Sequence, residues 1–126
     1  MDLKDPKSPE WQRFLKSFTY AWNGIYRTYR SERNFQFHVS IGMIVIVMGF
    51  IFHLNIFEWV VLLFLIGGML ALELMNTALE HVVDLVTDEY KPLAKSAKDA
   101  SAGAVLVYAV LSAIIGVILF YNHLFQ

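Results

Sequence analysis

Carboxylate, amide and hydroxyl side chains recur at helical spacing in an otherwise apolar part of the chain, at Glu73, Asn76, Thr77, Glu80 and Asp84. In a helix this spacing places all five on one face. A carboxylate in lipid hydrocarbon costs on the order of 2.5 to 3.5 kcal/mol, so these groups must face protein, a cation or water. Glu73 follows an apolar run directly and is expected to lie deepest, where a lipid headgroup would react.

Cations follow this acidic stripe at a similar depth. Just before the next apolar run, a second set of polar residues recurs at helical spacing, at Lys91, Lys95, Lys98 and Asp99. Carboxylates and lysine in a chain without cysteine favour an oxygen-ligand site for magnesium, which is commonly held by one or two carboxylates and substrate phosphates. This combination indicates phosphoryl transfer. For Asp84, a structural ion pair with one of these lysines is an equal alternative.

Other nucleotide and metal motifs are absent from the sequence. The chain contains neither GxxxxGK[ST] nor GxGxxG, which excludes the usual phosphate-binding loops. The histidines are scattered along the chain, which argues against a histidine metal cluster and predicts interfacial or packing roles for His38, His53, His81 and His123. On spacing alone, Glu32 between Arg30 and Arg33 is as compatible with a solvated turn as with a site.

Three apolar runs must position these groups. The chain has 126 residues, of which 57% are hydrophobic, and the runs at 39–52, 59–72 and 103–121 each reach, with their flanks, the roughly 20 residues that a bilayer requires. We therefore predict an all-α integral membrane protein with a single domain over 1–126. Its spans are expected at about 35–56, 58–86 and 97–122.

The distribution of positive charge predicts the orientation. The 10 lysines and arginines all lie before the first span or between the second and the third. Because such residues in short loops stay on the cytoplasmic side, the N-terminus is expected in the cytoplasm and the C-terminus outside. The residues concerned are Lys4, Lys7, Arg13, Lys16, Arg27, Arg30, Arg33, Lys91, Lys95 and Lys98.

Residues 10–30 show the apolar period of an amphipathic helix, with basic residues largely off the apolar face. Aromatic residues with basic neighbours are typical of a helix in the headgroup layer, so we predict that it lies flat on the cytoplasmic leaflet. A plain anchor without chemistry is the alternative for most of its residues, with Arg13 and Tyr20 as exceptions.

The polar stripe also predicts association between copies of the chain. Three helices cannot surround so many polar groups, whereas small residues on the third span permit close helix contact, at Ala109, Ser112, Ala113 and Gly116. Helices from several subunits would bury the stripe, and each site would then be shared between subunits.

Two segments resemble the prokaryotic diacylglycerol kinase family: ELMNTALEHVVD at 73–84 and AKSAKDASAGAV at 94–105. The resemblance extends over nearly the whole chain, since this family also has an amphipathic N-terminal helix, three spans and a glutamate at the first interface, here Glu32. The segments ERNF at 32–35 and PLAK at 92–95 look most like the Gram-positive branch, whose members are undecaprenol kinases.

This resemblance implies an ATP- and magnesium-dependent lipid kinase of the plasma membrane that phosphorylates undecaprenol in a homotrimer, with no nucleic-acid partner. It implies that Glu73 is the general base and that Asn76 positions Glu73 or the lipid hydroxyl. Glu32 and Glu80 would hold magnesium, and the lipid would contact Glu73 and Trp22. The groups expected at the nucleotide are Arg13, Tyr20, Glu32, Glu80, Glu89, Tyr90, Lys98 and Asp99.

The sequence also leaves other substrates and functions open. Diacylglycerol is the nearest rival substrate, and its product would be phosphatidic acid. A more remote alternative is a small proton-coupled transporter in which Glu73 binds the ion. A noncatalytic membrane partner is disfavoured by the density of buried charge.

Overall fold

Within the described part of the chain, the fold consists of four helices in chain order. The computed structural model describes residues 7–125, so Lys4 and both ends of the predicted 1–126 domain lie outside the described residues. The helices are α1 (Glu10–Ser31), α2 (Arg33–Ile51), α3 (Ile56–Val86) and α4 (Pro92–Leu124). α2, α3 and α4 are long and apolar enough to cross a membrane. The all-α class and the prediction of three helices able to span a membrane are therefore confirmed.

α1 and α2 meet at a corner formed by a single residue. Glu32 is extended, with φ −107° and ψ 113°, and its N–H donates to the carbonyl of Thr28 at 2.8 Å. The side chain of Gln36 donates back to the carbonyl of Tyr29 at 2.7 Å. Thr28 and Phe35 are buried on either side of the corner, which fixes Glu32 where the amphipathic helix turns into the first span.

The turn between α2 and α3 is tight. His53 has a left-handed backbone with φ 54°, which ends the helical hydrogen bonding of α2. Asn55 then caps α3: its side chain accepts from the N–H of Glu58 at 2.9 Å, and the Glu58 carboxylate accepts from the N–H of Asn55 at 3.0 Å. α2 therefore ends at Ile51, although the apolar run led us to place the end of the first span near residue 56.

α3 packs against both α2 and α4, and α1 contacts α2 and α3. Near the α2–α3 turn, partly buried Val45 and Met48 of α2 pack against a buried cluster from the turn, α3 and α4, at Leu54, Leu62, Leu119 and Phe120. At mid-span, the hydroxyl of Tyr108 on α4 donates to the carbonyl of Phe64 on α3 at 2.6 Å. Gly68 makes this approach possible, because a Cβ there would collide with the Tyr108 ring and hydroxyl.

Large apolar side chains cover much of the outer surface of the chain. Phe57 and Phe64 are each 74% exposed, and Leu106 is 63% exposed. A surface of this kind is suited to lipid or to further helices rather than to water.

Candidate active site

α3 arranges its polar stripe along a gradient of burial. Glu73 and Thr77 are buried, with 5% and 6% exposure, whereas Glu80 is half-buried and Asp84 is exposed. Glu73 and Asp84 are thus at opposite ends of one helical face. A carboxylate as enclosed as Glu73 needs a partner, because an unpaired buried charge is strongly disfavoured.

His38 on α2 is the partner of Glu73. Its Nε2 lies 3.2 Å from Oε1 of Glu73, and the two side chains are 22% and 7% exposed. The expectation that His38 has only an interfacial or packing role is therefore wrong. The sequence signal was weak, because His38 is one of several polar residues in the first turns of α2. The rotation of α2 against α3 decides which of them reaches the stripe.

Two other predicted site residues have buried polar atoms without a hydrogen-bond partner among the described residues: Oδ1 of Asn76 and Nε of Arg13. A buried polar atom without a partner costs about 1 to 3 kcal/mol. Such atoms are candidates for contact with a ligand or with bound water. Asn76 lies one turn from Glu73 on the same face of α3, so a ligand that met Asn76 would also be near Glu73.

A second polar cluster lies where α3 ends and α4 begins. Nζ of Lys98 is 2.5 Å from Oδ1 of Asp84, and Lys95 forms an ion pair with Asp99. These groups surround a cavity of about 370 Å³, which Glu89 and Tyr90 also line. The structure thus brings together four of the residues predicted to bind nucleotide, Glu89, Tyr90, Lys98 and Asp99. It also gives Asp84 the structural ion pair that was one of its two alternatives.

The two carboxylates predicted to hold magnesium lie on different elements. Glu32 occupies the α1–α2 corner and Glu80 lies on α3, and both are half-buried. Within residues 7–125, no group of three or more histidine, aspartate or glutamate side chains could enclose a metal ion. Magnesium is commonly held by one or two carboxylates together with phosphates and water, so this sparse oxygen donor set fits it.

The remaining predicted residues lie on α1. Tyr20 is half-buried, and Trp22 is 67% exposed on the surface of the chain. An apolar groove of about 440 Å³ runs between α2 and α4 over α3, and it begins at His38. Its lining includes the small residues predicted to permit close helix contact, Ala109, Ser112, Ala113 and Gly116.

Sequence comparisons identify relatives along nearly all of the chain. The sequence model of the family described as Prokaryotic diacylglycerol kinase matches residues 19–120. Undecaprenol kinase of Bacillus subtilis (strain 168) is 56% identical over 95% of this chain and 97% of its own length. Diacylglycerol kinase of Synechocystis sp. is 44% identical over 84% of this chain and 63% of its own length. Diacylglycerol kinase of Escherichia coli (strain K12) is 27% identical over 88% of this chain and 91% of its own length.

Proposed function

The chain belongs to the prokaryotic diacylglycerol kinase family and is a lipid kinase, and from this premise we propose that it transfers the γ-phosphoryl group of ATP to the hydroxyl of undecaprenol. The products would be undecaprenyl phosphate and ADP. The choice of undecaprenol rests on the similarity to the Bacillus subtilis enzyme, which extends over almost the full length of both chains. The proton-coupled transporter considered from the sequence is wrong, because the family is one of kinases.

The buried carboxylate of Glu73 is the observation that carries the mechanism. In the reaction, the lipid hydroxyl oxygen forms a bond to the γ-phosphorus, the bond from that phosphorus to the ADP oxygen breaks, and the hydroxyl proton must be removed. Glu73 is well suited to accept this proton, since it lies on the face that also carries Asn76. Asn76 would contact the hydroxyl or hold Glu73 through its unpartnered Oδ1.

The phosphates of ATP require positive charge and fixed geometry more than covalent help from the protein. Lys98, beside the cavity between α3 and α4, would bind them, and Asp99, Glu89 and Tyr90 would contact the rest of the nucleotide. Arg13 and Tyr20 would approach from α1. Glu32 and Glu80 would hold magnesium, which when bound supplies charge neutralisation at the phosphates.

The orientation proposed from the positive charges serves the same chemistry. With the N-terminus in the cytoplasm, the loop between α3 and α4 and the corner at Glu32 face the compartment that contains ATP. α1 would lie flat on the cytoplasmic leaflet of the plasma membrane, with Trp22 and its exposed aromatic neighbours in contact with lipid. The C-terminus would then be outside.

We further assign the active form to a homotrimer with sites shared between subunits. The groove between α2 and α4 is lined by small residues, which permit close approach of a helix from a second copy. Oγ of Ser112 in this groove is buried and has no partner among the described residues. The separation of Glu32 from Glu80 on different elements is compatible with a site that takes groups from two chains.

Diacylglycerol is the second candidate substrate, since the matching family and two of the relatives bear that name. Purified protein with ATP and magnesium, given each lipid in the same mixed micelles, separates the candidates by kcat/KM. We expect a higher kcat/KM for undecaprenol. A clear preference for diacylglycerol would overturn the choice of substrate and leave the kinase assignment in place.

A further inference from the structure

α2 and α3 are in contact through His38 and Glu73. Nε2 of His38 lies 3.2 Å from Oε1 of Glu73. Within residues 7–125, Glu73 has no other hydrogen-bond or ion-pair partner. The imidazole is at ion-pair distance rather than in hydrogen-bond geometry, and the second carboxylate oxygen, Oε2, is left for another partner.

The apolar surroundings make this single contact important for the orientation of the Glu73 carboxylate. The groove that begins at His38 is lined next by Ile41, Gly42, Ile66 and Met69, which offer no side-chain hydrogen bond. A glutamate side chain has three rotatable bonds, and without a fixed donor its carboxylate would sample several rotamers. A donor on a packed helix restricts the carboxylate to one of them. Catalytic groups need such support, because a displacement of about 1 Å costs on the order of 100-fold in rate.

We propose that His38 is a positioning residue for the general base: in the working enzyme its Nε2–H donates to Oε1 of Glu73, the atom that lies 3.2 Å from Nε2 in this structure, and so directs Oε2 toward the lipid hydroxyl. This inference rests on the proposed function. During transfer, the hydroxyl proton moves to Oε2 as the new oxygen–phosphorus bond forms and ADP departs. His38 holds its own proton throughout and does not touch the substrate.

A second histidine–carboxylate pair provides a structural control. Nε2 of His123 on α4 lies 2.9 Å from Oε2 of Glu58 on α3, and these side chains are 26% and 23% exposed. This pair also ties two helices together, but it lies at the opposite end of α3 from the acidic stripe. Loss of the His123 contact should affect only the stability of the fold.

The test compares His38→Gln with His38→Met in the full-length protein. The two replacements have similar length and volume, but only glutamine offers an N–H donor near the position of Nε2. We expect His38→Met to lower kcat about 10- to 100-fold, with the KM for ATP unchanged. His38→Gln should retain most of the kcat, and His123→Met should match the wild type in kcat.

Two results would overturn the proposal: wild-type kcat in His38→Met, or equal losses in the methionine and glutamine variants. Glu73→Gln in the same assay keeps this inference separate from the proposed function. If Glu73→Gln is fully active, the general base is misassigned. If it is inactive while His38→Met is normal, only the role of His38 is wrong.

A second measurement does not depend on the folding of His38→Met. In protein labelled with ¹⁵N in histidine, the Nε2–H of His38 should give a hydrogen-bonded signal that is missing in His38→Gln. Replacing Glu73 with glutamine should shift that signal and leave the other histidine signals in place. An unshifted His38 signal in Glu73→Gln would contradict the contact.

Discussion

Glu73 combines two properties that are rarely found together in a membrane helix. It is almost fully enclosed, yet its one polar partner within residues 7–125 is an imidazole that lies beside only one carboxylate oxygen. Asp84, on the same face, is exposed and forms an ion pair with a lysine. In the proposed mechanism the two carboxylates have different tasks: Glu73 accepts a proton, while Asp84 holds the ammonium group of Lys98 in place.

The pair formed by Lys98 and Asp84 leads to a prediction about ATP. A hydrogen bond to a charged group is worth about 1.5 to 3 kcal/mol, so Lys98→Gln should raise the KM for ATP about tenfold or more. Asp84→Asn should change it much less, because Asp84 contacts the lysine and not the phosphates. Steady-state kinetics at varied ATP measures both.

Lys16→Gln is the matched control for this prediction, since Lys16 is exposed on α1 and is not among the proposed nucleotide contacts. An Asp84→Asn defect as large as that of Lys98→Gln would place Asp84 in the nucleotide site itself.

The acidic stripe could be predicted from the sequence because its members share one helix, where spacing alone determines the face. The partner of Glu73 could not. α2 is apolar around most of its circumference, so periodicity does not show which side faces α3. The contact at His38 depends on that rotation, and for this reason it became visible only in the folded chain.

At the level of elements, the helices follow from long apolar runs, but their ends follow from local chemistry. α4 begins at Pro92, at the first turn of a helix where proline is favoured, whereas the apolar run indicated a start near residue 97. The longer α4 therefore includes Lys95, Lys98 and Asp99. Asn55 and Glu58 form a capping box that starts α3, and this signal is readable in the sequence.

The close approach at Gly68 predicts that the contact between α3 and α4 is sensitive to an added methyl group at this position. Gly68→Ala should push Tyr108 away from α3 and break its hydrogen bond to the carbonyl of Phe64. Such overpacking costs about 1 to 3 kcal/mol. Thermal unfolding of the purified protein in detergent should therefore show a lower Tm for this variant.

The neighbouring glycine supplies the control. An added Cβ at Gly67 meets nothing within 4 Å, and alanine is a better helix former than glycine. Gly67→Ala should therefore have a Tm equal to or above that of the wild type. Equal losses of Tm in the two variants would show that the contact of Tyr108 with α3 is not what stabilises this region.

At the level of the whole molecule, the single chain leaves an apolar surface and an apolar groove for lipid or other subunits. The proposed trimer would fill part of that surface and bring groups on different elements into one site. Glu73 and Glu80 share a face of α3, whereas Glu32 lies at the α1–α2 corner. In a shared site, one subunit would therefore supply Glu32 and another would supply both Glu73 and Glu80.

Mixed oligomers test this division. When inactive Glu73→Gln and Glu32→Gln subunits are co-assembled at equal amounts, about a quarter of the sites should receive both wild-type groups if each site uses two chains. Activity should then recover in part. Glu73→Gln mixed with Glu80→Gln is the control that should stay inactive, because both changes affect the same helix. No recovery in the first mixture would mean that each chain supplies its whole site.

We propose Glu73 as the base of a kinase that acts on undecaprenol. The most direct measurement is the transfer of radiolabelled γ-phosphate from ATP to undecaprenol by wild-type protein and by Glu73→Gln, with Glu10→Gln, an exposed position on α1, as the control. General base catalysis contributes a rate factor of about 100 to 10,000. The kcat of Glu73→Gln should therefore be lower by about 100-fold or more, while its oligomeric state is unchanged. Wild-type turnover by a well-folded Glu73→Gln protein would contradict the account.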